Sequence, residues 1–205
     1  MIKTILFDFG DVFIDLDKSA TERSLIKLGV TSISNEMLET AMQYEKGLIN
    51  TEEFIANFRS KYPNISAKKF IEAWNSIILN VPESRLKFIE ALSLRKEYRL
   101  ILLSNTNTLH IEQVIKNMTL ARYLRFKNSF DRFYWSHELK LRKPELSIYE
   151  YVLTKNNLSA SECFFIDDTK ENTDAAAKLG IKTWNNNPKK DDVTDLFNHP
   201  LFIKA

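Results

Sequence analysis

The sequence predicts an α/β fold, a doubly wound and mostly parallel sheet with a small all-helical cap inserted after the first strand. Three runs of bulky apolar residues lack any turn residue, which is typical of strands buried on both faces; they lie at 2–7, 99–103 and 163–166. Helical patterns separate these runs, and strands that alternate with helices form parallel sheets. The stretch from about 16 to 81 shows helical patterns only, which indicates an insertion.

The remaining elements of the sheet layer follow the same pattern. Two weaker strand candidates lie at 132–135 and 182–184. Helical periodicity appears after Pro82 and again at 108–118, 148–153 and 172–179. Gly180 suits the position just after the last of these helices, where the backbone commonly turns left-handed.

The insertion is predicted to contain four short helices, at 19–28, 34–45, 52–62 and 66–79. Gly29, Gly47 and Pro63 separate them, and Thr51 is a candidate N-cap. We therefore divide the chain into an α/β core domain, residues 1–15 and 82–205, and a helical cap domain, residues 16–81.

Composition restricts the class of protein. A chain of 205 residues suits one sizeable domain with a modest insertion. With 44% hydrophobic residues, 27% charged residues and a net charge of +2, it has the composition of an ordinary globular protein. It lacks the excess of basic residues that would indicate binding to nucleic acid. We find no apolar run of the length that a membrane helix needs. We expect a cytoplasmic protein with no nucleic-acid, membrane or obligate protein partner.

Glycine, cysteine and histidine usage excludes several kinds of site. The four glycines stand apart, which excludes a glycine-rich dinucleotide loop and a P-loop. Cys163 is the only cysteine, and the three histidines are far apart, so thiolate and paired-histidine zinc sites are excluded. A bound metal should therefore have oxygen ligands, which favours Mg²⁺.

Polar residues follow the three strongest strands. Asp8 follows the first, Ser104 and Asn105 the second, and Asp167 and Asp168 the third. One aspartate after a strand is usually a turn or capping residue. Polar residues at the ends of three strands indicate a ligand site more strongly than one aspartate does, because parallel strands bring their carboxyl ends to the same edge of the sheet. Carboxylates crowded there would have raised pKa values unless a cation such as Mg²⁺ neutralised them.

Lys143, in the sequence Arg142-Lys143-Pro144-Glu145, adds a positive charge. Taken alone, it is equally well explained as part of a surface basic pair beside a helix start. A fixed ammonium beside a carboxylate cluster would also stabilise a transferring phosphoryl group, whose oxygens carry the charge.

In this order, the elements resemble the motifs of the haloacid dehalogenase (HAD) superfamily. The first motif is Asp8-Phe9-Gly10-Asp11-Val12, the second is Ser104, the third is Lys143, and the fourth begins at Asp167-Asp168. The sequence around these motifs is most similar to that of sugar-phosphate phosphatases of the α-D-glucose-1-phosphate phosphatase type.

The resemblance implies a Mg²⁺-dependent phosphomonoester hydrolase acting on a small phosphorylated metabolite, a sugar phosphate above all. Asp8 would be the nucleophile and form an aspartyl phosphate. Ser104 and the backbone of Asn105 would hold phosphate oxygens, and Lys143 would neutralise charge on the nucleophile and the phosphate. The implied Mg²⁺ ligands are Asp8, the carbonyl of Gly10, Asp168 and Asp167.

Gly10 departs from the family pattern, in which the second residue after the nucleophile is an aspartate that protonates the leaving group. A positioned acid is worth about 10²–10⁴-fold in rate, or roughly 3–5 kcal/mol of barrier. Esters whose leaving groups are already acidic lose the least rate when this acid is absent. We therefore predict faster hydrolysis of sugar 1-phosphates and acyl phosphates than of sugar 6-phosphates, and comparable turnover of both classes would contradict this.

Other functions stay open at this point. Asp8 could attack carbon in a dehalogenase, although that chemistry needs neither a metal nor Lys143. Gly10 also leaves open a catalytically weak metal-binding module with a regulatory or interaction role.

Overall fold

The computed structural model describes residues 1–203 and contains one parallel sheet. Its strands are β1 (Thr4–Phe7), β2 (Arg99–Ser104), β3 (Arg132–Trp135), β4 (Cys163–Asp167) and β5 (Lys182–Asn185). The order across the sheet is β3-β2-β1-β4-β5, and every neighbouring pair is parallel. The predicted α/β class is confirmed, and the two weaker strand candidates form the sheet's edges.

The helices surround this sheet and fill the insertion. They are α1 (Ala20–Lys27), α2 (Asn35–Glu45), α3 (Thr51–Lys61), α4 (Ala67–Asn75), α5 (Glu83–Arg95), α6 (Thr108–Met118), α7 (Leu120–Asn128), α8 (Ser136–Leu139), α9 (Leu146–Lys155), α10 (Lys170–Lys178) and α11 (Pro200–Ile203). The sequence did not predict α7, in which Leu120 and Leu124 are exposed and blur the apolar stripe. The short helices α8 and α11 were also missed.

Alternate residues of the strands pack on opposite faces of the sheet. Phe7 and Leu102 belong to a core cluster on one face, which includes residues of α5, α6 and α7. Leu6 and Ile101 belong to the cluster on the other face, which includes residues of α9 and α10. Because both faces are covered, the strands are apolar throughout, as a doubly wound sheet requires.

Helices α1 to α4 enclose a third apolar cluster, which includes Phe54, Phe58 and Phe70. Asn50, and not Thr51, is the N-cap of α3, and it forms a capping box with Glu53. The division of the chain into core and cap domains remains a prediction, and residues 204–205 of that core lie outside the described residues.

Two chain segments connect the helical insertion to the sheet, and they pair with each other. Helix α4 ends at Asn75 instead of continuing to Leu79 as predicted. Beyond it, Ile78 forms an antiparallel bridge with Leu16, and the Asp15 amide donates to the Asn80 carbonyl at 3.0 Å. The β-branched residues there favour this extended conformation.

The strand order reverses between β1 and β4, which lie side by side although one is the first strand and the other the fourth. Ligands of open α/β sheets bind at such a point, beyond the carboxyl ends of the strands. No helix within residues 1–203 is long and apolar enough to cross a membrane.

Candidate active site at the carboxyl edge of the sheet

Three carboxylates meet where the strand order reverses. Asp8 follows β1, Asp167 ends β4, and Asp168 comes next in the chain. Each offers an oxygen that lies within 4.8 Å of the others. Asp8 is held to β4 by its amide, which donates to the Ile166 carbonyl at 2.8 Å. The structure therefore brings together the three acids that the sequence singled out.

Lys143 reaches this cluster from the loop ahead of α9. Its Nζ lies 2.8 Å from Asp8 Oδ1 and 2.6 Å from Asp167 Oδ2, and it donates to the Leu103 carbonyl at 2.9 Å. The residue is only 1% exposed. A buried ammonium between two carboxylates is a fixed positive charge in a site of low polarity, where electrostatic interactions are strong.

Asn105 fixes the position of Lys143. Its side-chain amide donates to the Lys143 carbonyl, its Oδ1 accepts from the Lys143 amide, and both hydrogen bonds are 2.9 Å long. The sequence predicted a phosphate-binding role for Asn105, and the structure adds this positioning role for its side chain.

The pKa values of the buried groups are shifted. Burial opposes the charge of Lys143, but Asp167 and Asp8 together outweigh it and raise the pKa of the ammonium. Burial raises the pKa of Asp167 to about 7, an effect that Lys143 opposes and the charge of Asp8 increases. The sequence predicted raised carboxylate pKa values from repulsion alone, whereas desolvation is the larger cause here.

Asp167 is also held by uncharged donors. Its Oδ1 accepts from the Thr169 amide at 2.8 Å, and the Asn172 side chain donates to both of its oxygens, at 3.0 and 3.1 Å. These contacts fix the carboxylate, so that it can hold Lys143 in place.

Lys18 is a site residue that the sequence reasoning missed. Its Nζ lies 2.5 Å from Asp168 Oδ2 and 3.0 Å from Asp11 Oδ2. Burial and the charge of Asp8 raise the pKa of Asp168, and Lys18 opposes them. No sequence pattern marks Lys18 as a site residue, because it lies in an irregular loop and only the folded chain brings it to the carboxylates.

Ser104 and Gly10 flank the carboxylates. Ser104 is buried at the end of β2, and the register of Phe7 with Leu102 places it at the same edge as Asp8. A Cβ atom on Gly10 would lie 2.8 Å from Cδ1 of Leu16. Leu16 therefore fills the space in which a side chain at position 10 would begin.

The donor set fits a hard divalent cation. Asp8 Oδ1 is buried and, although Lys143 lies nearby, accepts no hydrogen bond of good geometry from residues 1–203. Asp168 lies beside it, and its oxygens are the ligand type that Mg²⁺ prefers. A cation there would add a second positive charge beside Asp8 Oδ1 and reduce the repulsion among the three acids.

The end of α2 contacts the loop that carries Lys143. Arg142 pairs with Glu45 at 3.1 Å, and Lys46 pairs with Glu145 at 2.5 Å. Burial raises the pKa of Glu45, and the charge of Arg142 opposes that shift. These ion pairs hold the inserted helices against one side of the site.

On the other side, His110 connects α6 to α4. Its Nε2 lies 3.3 Å from the Trp74 carbonyl, so this nitrogen must donate, and its Nδ1 accepts from the side-chain Nδ2 of Asn107 at 3.1 Å. The imidazole also stacks on the Trp74 indole, with ring centroids 5.0 Å apart. Burial lowers the pKa of His110 to about 4, while its bond to the Trp74 carbonyl opposes the shift.

We predict that His110 makes the protein less stable in mild acid. In the unfolded chain the His110 imidazole is protonated below about pH 6.5, whereas in the folded chain it is protonated only below about pH 4. The free energy of unfolding therefore decreases as pH falls through this range. From pH 7.5 to pH 5 the loss from this residue is about 2 kcal/mol. Urea unfolding at both pH values should show a smaller loss in His110→Gln. Equal losses in variant and wild type would contradict the prediction.

Proteins of known function or structure resemble this chain along most of its length. The chain is 27% identical over 194 residues to the D-ribitol-5-phosphate phosphatase of Bacteroides thetaiotaomicron, covering 90% of this chain and 91% of the relative. The crystal structure of a HAD family enzyme from the same organism, a magnesium complex, superposes with a TM-score of 0.86 at 34% identity and covers 97% of this chain and 99% of that one. The same enzyme with magnesium and inorganic phosphate gives a TM-score of 0.83 at 34% identity, covering 93% and 97%.

The family model described as haloacid dehalogenase-like hydrolase matches residues 5–185, which include all the candidate site residues. This match and the structural relatives confirm the superfamily that the motifs indicated. The chain belongs to the haloacid dehalogenase-like hydrolase family.

Proposed function

We propose that the protein is a Mg²⁺-dependent phosphomonoester hydrolase that acts through an aspartyl phosphate on a small phosphorylated metabolite. The observation that carries the proposal is the position of Lys143, whose buried ammonium contacts both Asp8 and Asp167 beside the third acid, Asp168. A carboxylate nucleophile next to fixed positive charge is the arrangement that phosphoryl transfer requires.

In the proposed reaction, an Asp8 oxygen forms a bond to phosphorus while the bond to the leaving oxygen breaks. The leaving oxygen takes its proton from water, because Gly10 supplies none. Water then cleaves the aspartyl phosphate, which restores Asp8 and releases inorganic phosphate. Lys143 neutralises the charge on the nucleophile and the phosphoryl oxygens, while Ser104 and Asn105 hold the phosphate.

Mg²⁺ would be held by Asp8, the Gly10 carbonyl, Asp168 and Asp167. When bound, it supplies positive charge that stabilises the phosphoryl oxygens in the transition state. Asp167 also holds Lys143, so we propose that it acts mainly by fixing this positive charge beside the metal.

We propose sugar phosphates as substrates, since a relative that spans nearly the whole chain is named a D-ribitol-5-phosphate phosphatase. Among them, the absence of an acid at Gly10 favours esters with an acidic leaving group, such as sugar 1-phosphates. We further propose that residues 16–81 form a cap that covers the site and contacts the leaving group.

The test is release of 4-nitrophenol from 4-nitrophenyl phosphate with Mg²⁺ or with EDTA. We expect removal of the metal to lower the rate at least about 10²-fold, since a metal is worth several kcal/mol to such a transition state. Asp168→Asn should have a similar effect. Asp174→Asn is the matched control, because Asp174 lies on the exposed surface of α10, where it pairs with the exposed Lys170 at 2.6 Å.

Two outcomes would favour the other functions. A wild-type protein that binds Mg²⁺ but releases no product would favour a metal-binding module. Release of halide from a haloacid, with no dependence on Mg²⁺, would favour a dehalogenase.

A further inference from the structure

Two lysines pair with the carboxylates of the site, and the structure holds them in different ways. Lys143 is buried, with 1% of its side chain exposed, and hydrogen bonds from both its amide and its ammonium fix its position. Lys18 is held at its tip, where Nζ pairs with Asp168 and Asp11, while 58% of its side chain is exposed. An ammonium on such an exposed side chain can leave its ion pairs at little cost, because water solvates it.

The chain around Lys18 is anchored at the junction between the inserted helices and the sheet. The amide of Asp17 donates to the carbonyl of Ile77 at 3.0 Å. Asp11 is fixed as well, since its Oδ1 accepts from a backbone amide at 3.0 Å, and its Oδ2 lies 3.0 Å from Lys18 Nζ. Rotation of the lysine side chain alone would therefore move the ammonium away from the metal-binding carboxylates, while Asp11 stays within its reach.

The position of this ammonium conflicts with a metal bound by Asp8 and Asp168. Lys18 Nζ lies 2.5 Å from Asp168 Oδ2, and Mg²⁺ needs ligand oxygens at about 2.1 Å. The other oxygen, Oδ1, accepts from the Thr169 hydroxyl at 3.4 Å, a long and weak hydrogen bond. Whichever oxygen the metal takes, two cations would then lie on one carboxylate and repel each other.

We propose that Lys18 is an internal counter-ion of Asp168 that Mg²⁺ displaces, and that it thereby sets the affinity of the site for the metal, an inference that rests on the proposed function. In the metal-free protein the ammonium neutralises Asp168. When Mg²⁺ binds, the ammonium moves to Asp11 and to solvent. Lys143 keeps its place in both states, because it is buried and its contacts do not involve Asp168.

The test is calorimetric titration of the protein with MgCl₂ at constant ionic strength. We expect the Kd for Mg²⁺ to be about tenfold or more lower in Lys18→Met than in wild type, because methionine removes a positive charge beside the metal. Lys18→Arg keeps the charge and should stay within about threefold of the wild-type Kd. Lys3→Met is the matched control, since it removes the same charge from an exposed pair, with Glu162 at 2.6 Å, at the opposite edge of the sheet.

Thermal unfolding gives a second measurement. In EDTA, Lys18→Met leaves Asp168 without its counter-ion beside the other acids, so its Tm should be lower than that of wild type. Saturating Mg²⁺ supplies the missing charge, and the gain in Tm should therefore be larger in Lys18→Met than in wild type or Lys3→Met.

The outcomes distinguish this proposal from the proposed function. If neither wild type nor Lys18→Met binds Mg²⁺, the proposed metal site and the function built on it are wrong. If both bind with equal Kd, or the variant binds more weakly, the role of Lys18 alone is overturned. An equal gain in Lys3→Met would show an effect of net charge only and would overturn it too. If circular dichroism shows that Lys18→Met is unfolded, Lys18→Gln takes its place, and failure of both to fold would contradict a displaceable ammonium.

Discussion

Asp8→Asn is expected to abolish phosphate release while the protein stays folded. The amide is isosteric with the carboxylate but is a very poor nucleophile, so no aspartyl phosphate forms. Loss of a nucleophile typically lowers kcat by many orders of magnitude, and we expect on the order of 10⁴-fold or more, roughly 5 kcal/mol of barrier. The measurement is phosphate release from 4-nitrophenyl phosphate at saturating Mg²⁺.

Thermal unfolding of the same variant tests whether the loss is chemical. Asp8→Asn removes one of the negative charges of the cluster, and Lys143 keeps its partner Asp167, so the Tm in EDTA should be unchanged or higher. Acid quenching of the wild type during turnover should trap covalent phosphate that hydroxylamine releases, and the variant should trap none.

Asp11→Asn is the matched control. Asp11 lies three positions further along at a φ of 51°, a backbone conformation that asparagine tolerates well. Its Oδ1 accepts from the Leu16 amide at 3.0 Å, and an asparagine oxygen can do the same. We expect this variant to keep at least a third of wild-type activity. A variant at position 8 that retained as much would show that Asp8 is not the nucleophile.

The sheet and its polar edge were predictable because strands buried on both faces have a simple sequence pattern. Each is a short apolar run, and the first polar residue after it marks the carboxyl end. Asp8 and Asp167 could therefore be placed at one edge before any coordinates, and Lys143 joined them through its motif. The catalytic and metal-binding roles of these residues remain predictions that the variants must test.

What the sequence did not reveal depends on contacts between distant segments. Lys18 comes to Asp168 across 150 positions, and no periodicity marks it. The pairing of Leu16 with Ile78 replaces the last turn of a helix whose local pattern was convincing. Local pattern fixes where an element lies, while these features follow from packing alone.

Lys143→Met is expected to lower both stability and activity. Methionine fills similar space, but Asp8 and Asp167 would then lie buried beside each other without their shared cation. Breaking a buried ion pair from one side typically costs about 3–5 kcal/mol, and we expect that loss from urea unfolding in EDTA at pH 7.5. We expect kcat to fall about 10²–10³-fold, as for other groups that stabilise charge in a transition state.

Mg²⁺ distinguishes this electrostatic cause from a packing defect. A cation bound by Asp8 and Asp168 would neutralise part of the charge that Lys143 leaves behind, so the gain in Tm on adding Mg²⁺ should be larger in Lys143→Met than in wild type. Lys170→Met is the control, because Lys170 is exposed and its pair with Asp174 lies at the surface, where such pairs contribute less than about 1 kcal/mol. Equal gains in Tm on adding Mg²⁺ in Lys143→Met, wild type and Lys170→Met would contradict this prediction. Lys143 would then stabilise the loop by packing alone, and the electrostatic argument for a metal beside Asp8 would fail.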